Sequence, residues 1–141
     1  MLPFDLEKFV HAAGDGVIAA NPDGSIVLWN VAAERIFGYT EKEALGRSLD
    51  LIIPERFRER HWQGYRQVMS TGQTRYGANV LRVPAAHKDG RALSIAFTVA
   101  LVPSQKGSIE AIVAVVRDET ERWQEERALR KRIAELEAAQ K

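Results

Sequence analysis

The chain has no cysteine. Disulfides, thiolate metal sites and covalent cysteinyl–chromophore adducts are therefore excluded. It has almost no charge imbalance. Twenty Lys and Arg stand against 19 Asp and Glu, a formal net charge of +1. No nucleic-acid partner and no acidic membrane surface is implied. No apolar run approaches the roughly 20 residues of a membrane span, so no membrane is expected within this chain. Met1-Leu2-Pro3-Phe4-Asp5-Leu6-Glu7-Lys8 lacks a basic segment followed by an apolar run, so no signal peptide is expected and the expected setting is the cytoplasm. There is no Gly-rich phosphate loop and no nucleophile–base pair at a recognisable spacing. Kinase, cyclase and DNA-binding motifs are absent too. Catalysis is not expected of this chain. What is present is ordinary. The 141 residues suffice for one domain, with 45% hydrophobic and 28% charged positions.

Leu6, Phe9, Val10 and Ala13 give a short helical period that Gly14-Asp15-Gly16 breaks. Val17 to Ala20 reads as a strand, Asn21-Pro22-Asp23-Gly24 as a turn, and Ser25 to Trp29 as its hairpin partner. Asn30 is placed to cap a helix over Val31 to Phe37, which Gly38 ends. Thr40 and Glu43 have capping-box spacing at the start of a helix that Gly46 stops. Leu51-Ile52-Ile53-Pro54 leads into a long helix closed by Thr71-Gly72.

The second half is strand-rich. Tyr76 to Val83 is one candidate strand. Leu93, Ile95, Phe97, Val99 and Leu101 alternate with small or polar residues in a period of two. Ile109 to Val116 is almost wholly apolar, which suits a central strand covered on both faces. Residues 118–141 then carry seven acids and six bases among 24 positions. Leu129, Ile133 and Leu136 are spaced as in a coiled-coil seam. The order of elements predicts an α+β domain with helices on one face of an antiparallel sheet.

The long helix holds the most informative residue, His61. At about 100° per residue, Phe57, His61, Trp62, Tyr65, Val68 and Met69 share one arc, with Arg58 the only charge inside it. An imidazole on that arc needs a partner, because burying it unpaired is costly. One reading gives it a backbone carbonyl or water. The other gives it a metal, and the metal best suited to an apolar helix face is haem iron. His11 and His87 read as solvent-facing, and neither pairs with His61 at chelate spacing, so zinc is disfavoured. Asp15 and Asp23 sit in turns.

Several segments together resemble a PAS domain over residues 6–120. Gly16 to Asn30 is similar to its first hairpin, Ala32 to Thr40 to the following helix and glycine–aromatic exit, and Lys88-Asp89-Gly90 to a later hairpin turn. Arg117-Asp118-Glu119-Thr120 resembles the Asp-x-Thr motif that joins such cores to signalling helices. Within the superfamily the chain most resembles the haem-binding domains of FixL-type oxygen sensors. Pro54-Glu55-Arg56-Phe57-Arg58-Glu59-Arg60-His61, Gly64-Tyr65 and Met69-Ser70-Thr71-Gly72 carry that likeness, with His61 at the proximal histidine.

The resemblance implies a five-stranded antiparallel PAS fold: an N-terminal cap helix over 1–14, the PAS domain over 15–118 and a signalling or coiled-coil helix over 119–141. It implies a sensory module of a signal-transduction protein, binding b-type haem through His61 and sensing a diatomic gas or redox state. Haem would be held noncovalently, since no Cys-x-x-Cys-His motif exists. Phe57, Gly64, Tyr65 and Val68 would surround the proximal face. Leu81, Phe97 and Val99 would line the distal side, with Tyr76 and Asn79 nearby. Arg66 or Arg75 would pair with the propionates. Asp118 and Thr120 would pass the signal on. The chain departs from the oxygen-sensor pattern at Leu81, twenty residues after His61, where those sensors carry a distal arginine. An apolar wall there implies a preference for CO or NO over O2. FAD or FMN, another small ligand, or no ligand remain as alternatives. The flavin edge wants amide donors, whereas Ser94 and Thr98 have the strand phase opposite to Phe97. A homodimer through the terminal helices is expected from their two apolar stripes.

Overall fold

A computed structural model describes residues 1–74 and 78–140. Helix α1, Leu6–Ala12, starts on an Asp5 side chain that accepts from the Glu7 and Lys8 amides. Strands β1, Gly16–Ala20, and β2, Ile26–Trp29, pair across the Asn21–Gly24 turn. Then come α2, Val31–Phe37, α3, Glu41–Ala44, a 3-10 turn over Leu49–Ile52, and α4, Glu55–Thr71. The expected capping box is formed: Thr40 and Glu43 satisfy each other's backbone amides. The chain returns through β3, Leu81–Ala86, β4, Ala92–Pro103, and β5, Ile109–Asp118. Helix α5, Thr120–Ala139, leaves the sheet with no buried residue.

The five strands form one sheet in the order β2-β1-β5-β4-β3, every pair antiparallel. Register assigns its faces, because residues opposite one another share a face. Ile18, Ile26, Trp29, Leu93, Ile95 and Val116 point to the face that Ala33 and Phe37 of α2 and Ala44 of α3 cover. Trp29 and Phe37 are fully buried, their rings 5.5 Å apart, and the Trp29 indole N–H donates to Tyr39 O at 2.9 Å. Removing either ring would cost about 3–5 kcal/mol.

Asn30 does more than cap α2. It is buried and its amide is fully used. Its Oδ1 accepts from the Val17 and Ala33 amides, and its Nδ2 donates to Val10 O and Asp15 O. One side chain therefore joins α1, the loop before β1, β1 and α2.

Two boundaries and the coverage of β5 differ from the sequence expectation. The described β3 runs from Leu81 to Ala86, past the expected end at Val83 and without Ala78 to Val80, because its span is set by pairing with Ala92 to Phe97; the expected start at Tyr76 lies outside the described residues. The strand β5 runs to Asp118, still opposite Ile95, so α5 starts at Thr120. And β5 is covered on one face only: Val115 on the outer face is 40% exposed. His87, expected to face solvent, instead tucks its ring against Gly38, with a side chain only 13% exposed. Gly38 must be glycine on two grounds, a φ of +84° and a Cβ that would meet that ring at 2.5 Å.

Candidate functional site

The face of α4 read from periodicity is the face that is covered. Phe57, Arg58, His61, Trp62, Val68 and Met69 are half-buried and Tyr65 is buried, while Arg56, Glu59, Arg60, Gln63, Arg66 and Gln67 are exposed. The helix is held by hydrogen bonds rather than by a dry seam. The Tyr65 hydroxyl donates to Asn21 O in the β1–β2 turn at 2.5 Å. The Trp62 indole donates to Asp50 Oδ1 at 2.7 Å, and its ring fills the space over Gly24. Arg58 donates to Ile53 O at 3.0 Å and Asp50 O at 3.2 Å, anchoring the turn before α4. This explains why a charged residue lies inside the apolar arc. Burial, with Asp23 adding, pushes the Tyr65 hydroxyl up to about 12.

His61 sits inside this cluster, with ring centroids 4.6 Å from Trp62 and 5.7 Å from Tyr65. Its Nδ1 is buried with no hydrogen-bond partner among the described residues. Burial lowers the imidazole pKa below its usual value, and the Asp50 charge offsets part of that. The ring is thus neutral at pH 7. A neutral imidazole with an unsatisfied buried nitrogen has the chemistry to take a hydrogen bond or to ligate a metal.

On the sheet, Leu81 pairs with Phe97 and Phe97 with Val116, so these side chains and Val99 share the helix-facing surface. That surface is not closed. Leu81, Phe97, Val99, Leu101 and Ile112 stay half-exposed, whereas Leu93 and Ile95 at the other end of β4 are buried. Phe97 also packs against the core cluster. An apolar, partly uncovered half of the sheet thus lies on the side that carries the helices. Gly64 is exposed on α4 with open space at its Cβ position, and His61, one turn before it, carries the unpartnered nitrogen.

The other expected site residues divide. Asn79, expected near the distal side, precedes β3 and is exposed. Arg66 is exposed and helps line a shallow open depression of about 460 Å³ with Pro22, Asp23, Ser48, Asp50, Trp62 and Tyr65. Arg75 and Tyr76 lie outside the described residues. Asp118 and Thr120 come together. Asp118 Oδ1 accepts from the Thr120 amide and hydroxyl, and Thr120 Oγ1 accepts from the Ser94 amide at 2.9 Å. Asp50 was not singled out from sequence, although it is the carboxylate whose charge acts on His61. Among the described residues no cluster of three metal-binding side chains exists, so His61 would ligate alone.

The class follows from the architecture: a single antiparallel sheet with helices inserted between its second and third strands and a helix running out from the last. The family follows from the sequence match. The profile of the PAS fold covers residues 5–118, and the chain belongs to that family. It is 35% identical over 116 residues to an uncharacterized protein of Azorhizobium caulinodans, covering 82% of this chain and 16% of that protein. It is 28% identical over 131 residues to Sensor protein FixL of Bradyrhizobium diazoefficiens, 93% of this chain and 26% of that one. It is 28% identical over 103 residues to Oxygen sensor protein DosP of Escherichia coli, 73% of this chain and 13% of that one. The chain therefore spans about a quarter or less of the length of these curated relatives. Among solved structures, the PAS domain of a Colwellia psychrerythraea protein superposes with a TM-score of 0.70 at 18% identity, over 81% of this chain and 93% of that one, a likeness of fold.

Proposed function

We propose that this chain is the sensory module of a signal-transduction protein and that it binds b-type haem through His61. The observation that carries this reading is the buried, unpartnered Nδ1 of a neutral His61 on the covered face of α4. The names of the relatives, a sensor and an oxygen sensor, support it. When bound, haem supplies an iron that takes up a diatomic gas or changes redox state. The protein supplies the rest. His61 ligates, and Tyr65 and Trp62 hold its helix to the β1–β2 turn and to Asp50. Phe57, Gly64 and Val68 pack the proximal side. Leu81, Phe97 and Val99 form the distal side and offer no hydrogen-bond donor, so the site favours CO and NO over O2. The sheet passes the change to Asp118 and Thr120 at the root of α5.

The same module dimerises through its terminal helices. Leu6 and Phe9 of α1 and Leu129, Ile133 and Leu136 of α5 are exposed apolar residues. A second reading, a PAS relay domain with a different small ligand or none, is favoured by the packing of Phe97 into the core. Titration of purified protein with haemin separates the two. A Soret band that saturates at one haem per chain supports the first; a protein that takes up no haemin supports the second.

A further inference from the structure

We infer that Arg82 is a positioning residue for the C-terminal helix: its ion pair with Glu119 transmits a shift of edge strand β3 to the first turn of α5. The inference draws its input, a displaced pocket wall, from the sensor reading above. The latch itself does not depend on haem.

Strand β3 is the outermost of the sheet and pairs only with β4. Leu81 at its start belongs to the helix-facing wall, so Arg82, one residue on, points to the outer face. There Arg82 lies opposite Ala96, and Ala96 lies opposite Arg117 on β5. Two guanidinium groups thus flank one small buried residue in a single cross-strand row. Each is drawn to a different carboxylate. Arg117 Nε is 3.0 Å from Asp15 Oδ1. Arg82 Nε is 3.4 Å from Glu119 Oε2.

Glu119 is the residue on which α5 starts. It occupies the N-cap position, yet its side chain makes no cap hydrogen bond. Its carboxylate is turned to Arg82, with Arg122 4.0 Å away, and the side chain is only 20% exposed. The carboxylate is the sheltered half of the pair, while the Arg82 side chain is 61% exposed and that of Arg122 66%, so the pair acts at the modest strength of a surface ion pair. The backbone completes the grip. Ser94 O accepts from the Glu119 amide at 2.8 Å, and the Ser94 amide donates to Thr120 Oγ1. Opposite Ser94 on β3 stands Pro84, which has no N–H to offer. The Ser94 donor and acceptor are therefore committed to the root of α5 and not to β3. Arg82 is the side chain by which β3 holds that root.

The test is amide exchange at Trp123, whose N–H closes the first helical bond of α5 on Glu119 O. It is read by NMR in the protein without haem, in Arg82→Gln, Glu119→Gln and the double variant. Each single change should speed exchange about two- to fivefold, and the double variant should be no faster than Glu119→Gln. Unchanged rates in the single variants, or effects that multiply in the double variant, would overturn the latch. The relay is tested by adding haemin, dithionite and CO. The Trp123 rate should respond in the wild type and not in Arg82→Gln; an equal response in both would overturn it. If the wild type takes up no haem, the binding proposal fails, while the haem-free comparison still decides the latch.

Discussion

At the scale of the residue, two side chains carry more of the fold than their type suggests. Asn30 is an amide in a core of Trp, Phe and Ile, and it is tolerated there because both its donor hydrogens and its acceptor oxygen are used. Asn30→Ala removes a partner from the part-buried Val10 and Asp15 carbonyls, the part-buried Val17 amide and the buried Ala33 amide. It should lower unfolding free energy by about 2–4 kcal/mol, measured by urea denaturation. Asn30→Asp should be no rescue, since it cannot donate to Val10 O and Asp15 O. Glu43 makes the second case. The Lys88 ammonium first, and then the Thr40 amide, hold its carboxyl down at about 2, from an ordinary 4.5. The unfolded chain takes up this proton near 4.5 and the folded chain only near 2. The stabilisation is whole above the ordinary value and is lost as pH falls through that window. Glu43→Gln should therefore flatten the dependence of melting temperature on pH between about pH 5 and about pH 2. An unchanged slope would show that the Glu43–Lys88 pair does not join α3 to the β3–β4 turn in solution.

At the scale of the element, α5 is the piece that the domain does not explain by itself. It has twenty residues, none buried, and its apolar stripe of Leu129, Ile133 and Leu136 faces water in the monomer. That exposed stripe offers a seam to a partner helix. Truncation after Thr120 should weaken self-association in sedimentation, and an undiminished dimer would place the interface elsewhere. Elements whose signal is local were legible in sequence. α4 is amphipathic because one face is covered, and the same six residues found by periodicity are the covered ones together with Arg58. The alternation of β4 is visible because its two faces meet different surroundings. Elements whose limits depend on a distant partner were not. Strand formers at Tyr76 and Val80 suggested an early β3, but β4 pairs only from Leu81 onward. Of Asn30's four bonds, only the α2 cap lies within reach of sequence reasoning; the rest join residues 13 to 20 positions away. The Trp62–Asp50 bond and the Arg82–Glu119 pair were invisible for the same reason.

At the scale of the whole molecule, the chain is one sheet whose inner face is filled at one end and left half-open at the other. The filled end is built on Trp29, Phe37, Leu93 and Ile95. The open end shows Leu81, Val99 and Leu101 on the face of the sheet that α2 and α3 cover at the other end. On the proposed haem reading, the absence of a donor on that wall among the described residues sets the gas preference. The ferrous protein should hold CO more tightly than O2, and Leu81→Arg should shift the balance toward O2, read from dissociation rates in stopped flow. Equal O2 off-rates in the two proteins would mean that residue 81 does not face the bound gas. Beneath that preference lies the ligation itself, and one measurement reaches it most directly. Wild type and His61→Ala are titrated with haemin in parallel, and the Soret and ferrous–CO spectra are recorded, with circular dichroism as the check on folding. The wild type should bind one haem per chain with a histidine-ligated spectrum, and His61→Ala should keep its fold and lose that spectrum. A folded His61→Ala protein with the wild-type spectrum, or a wild type that takes up no haem, would contradict the assignment of His61 as the haem ligand.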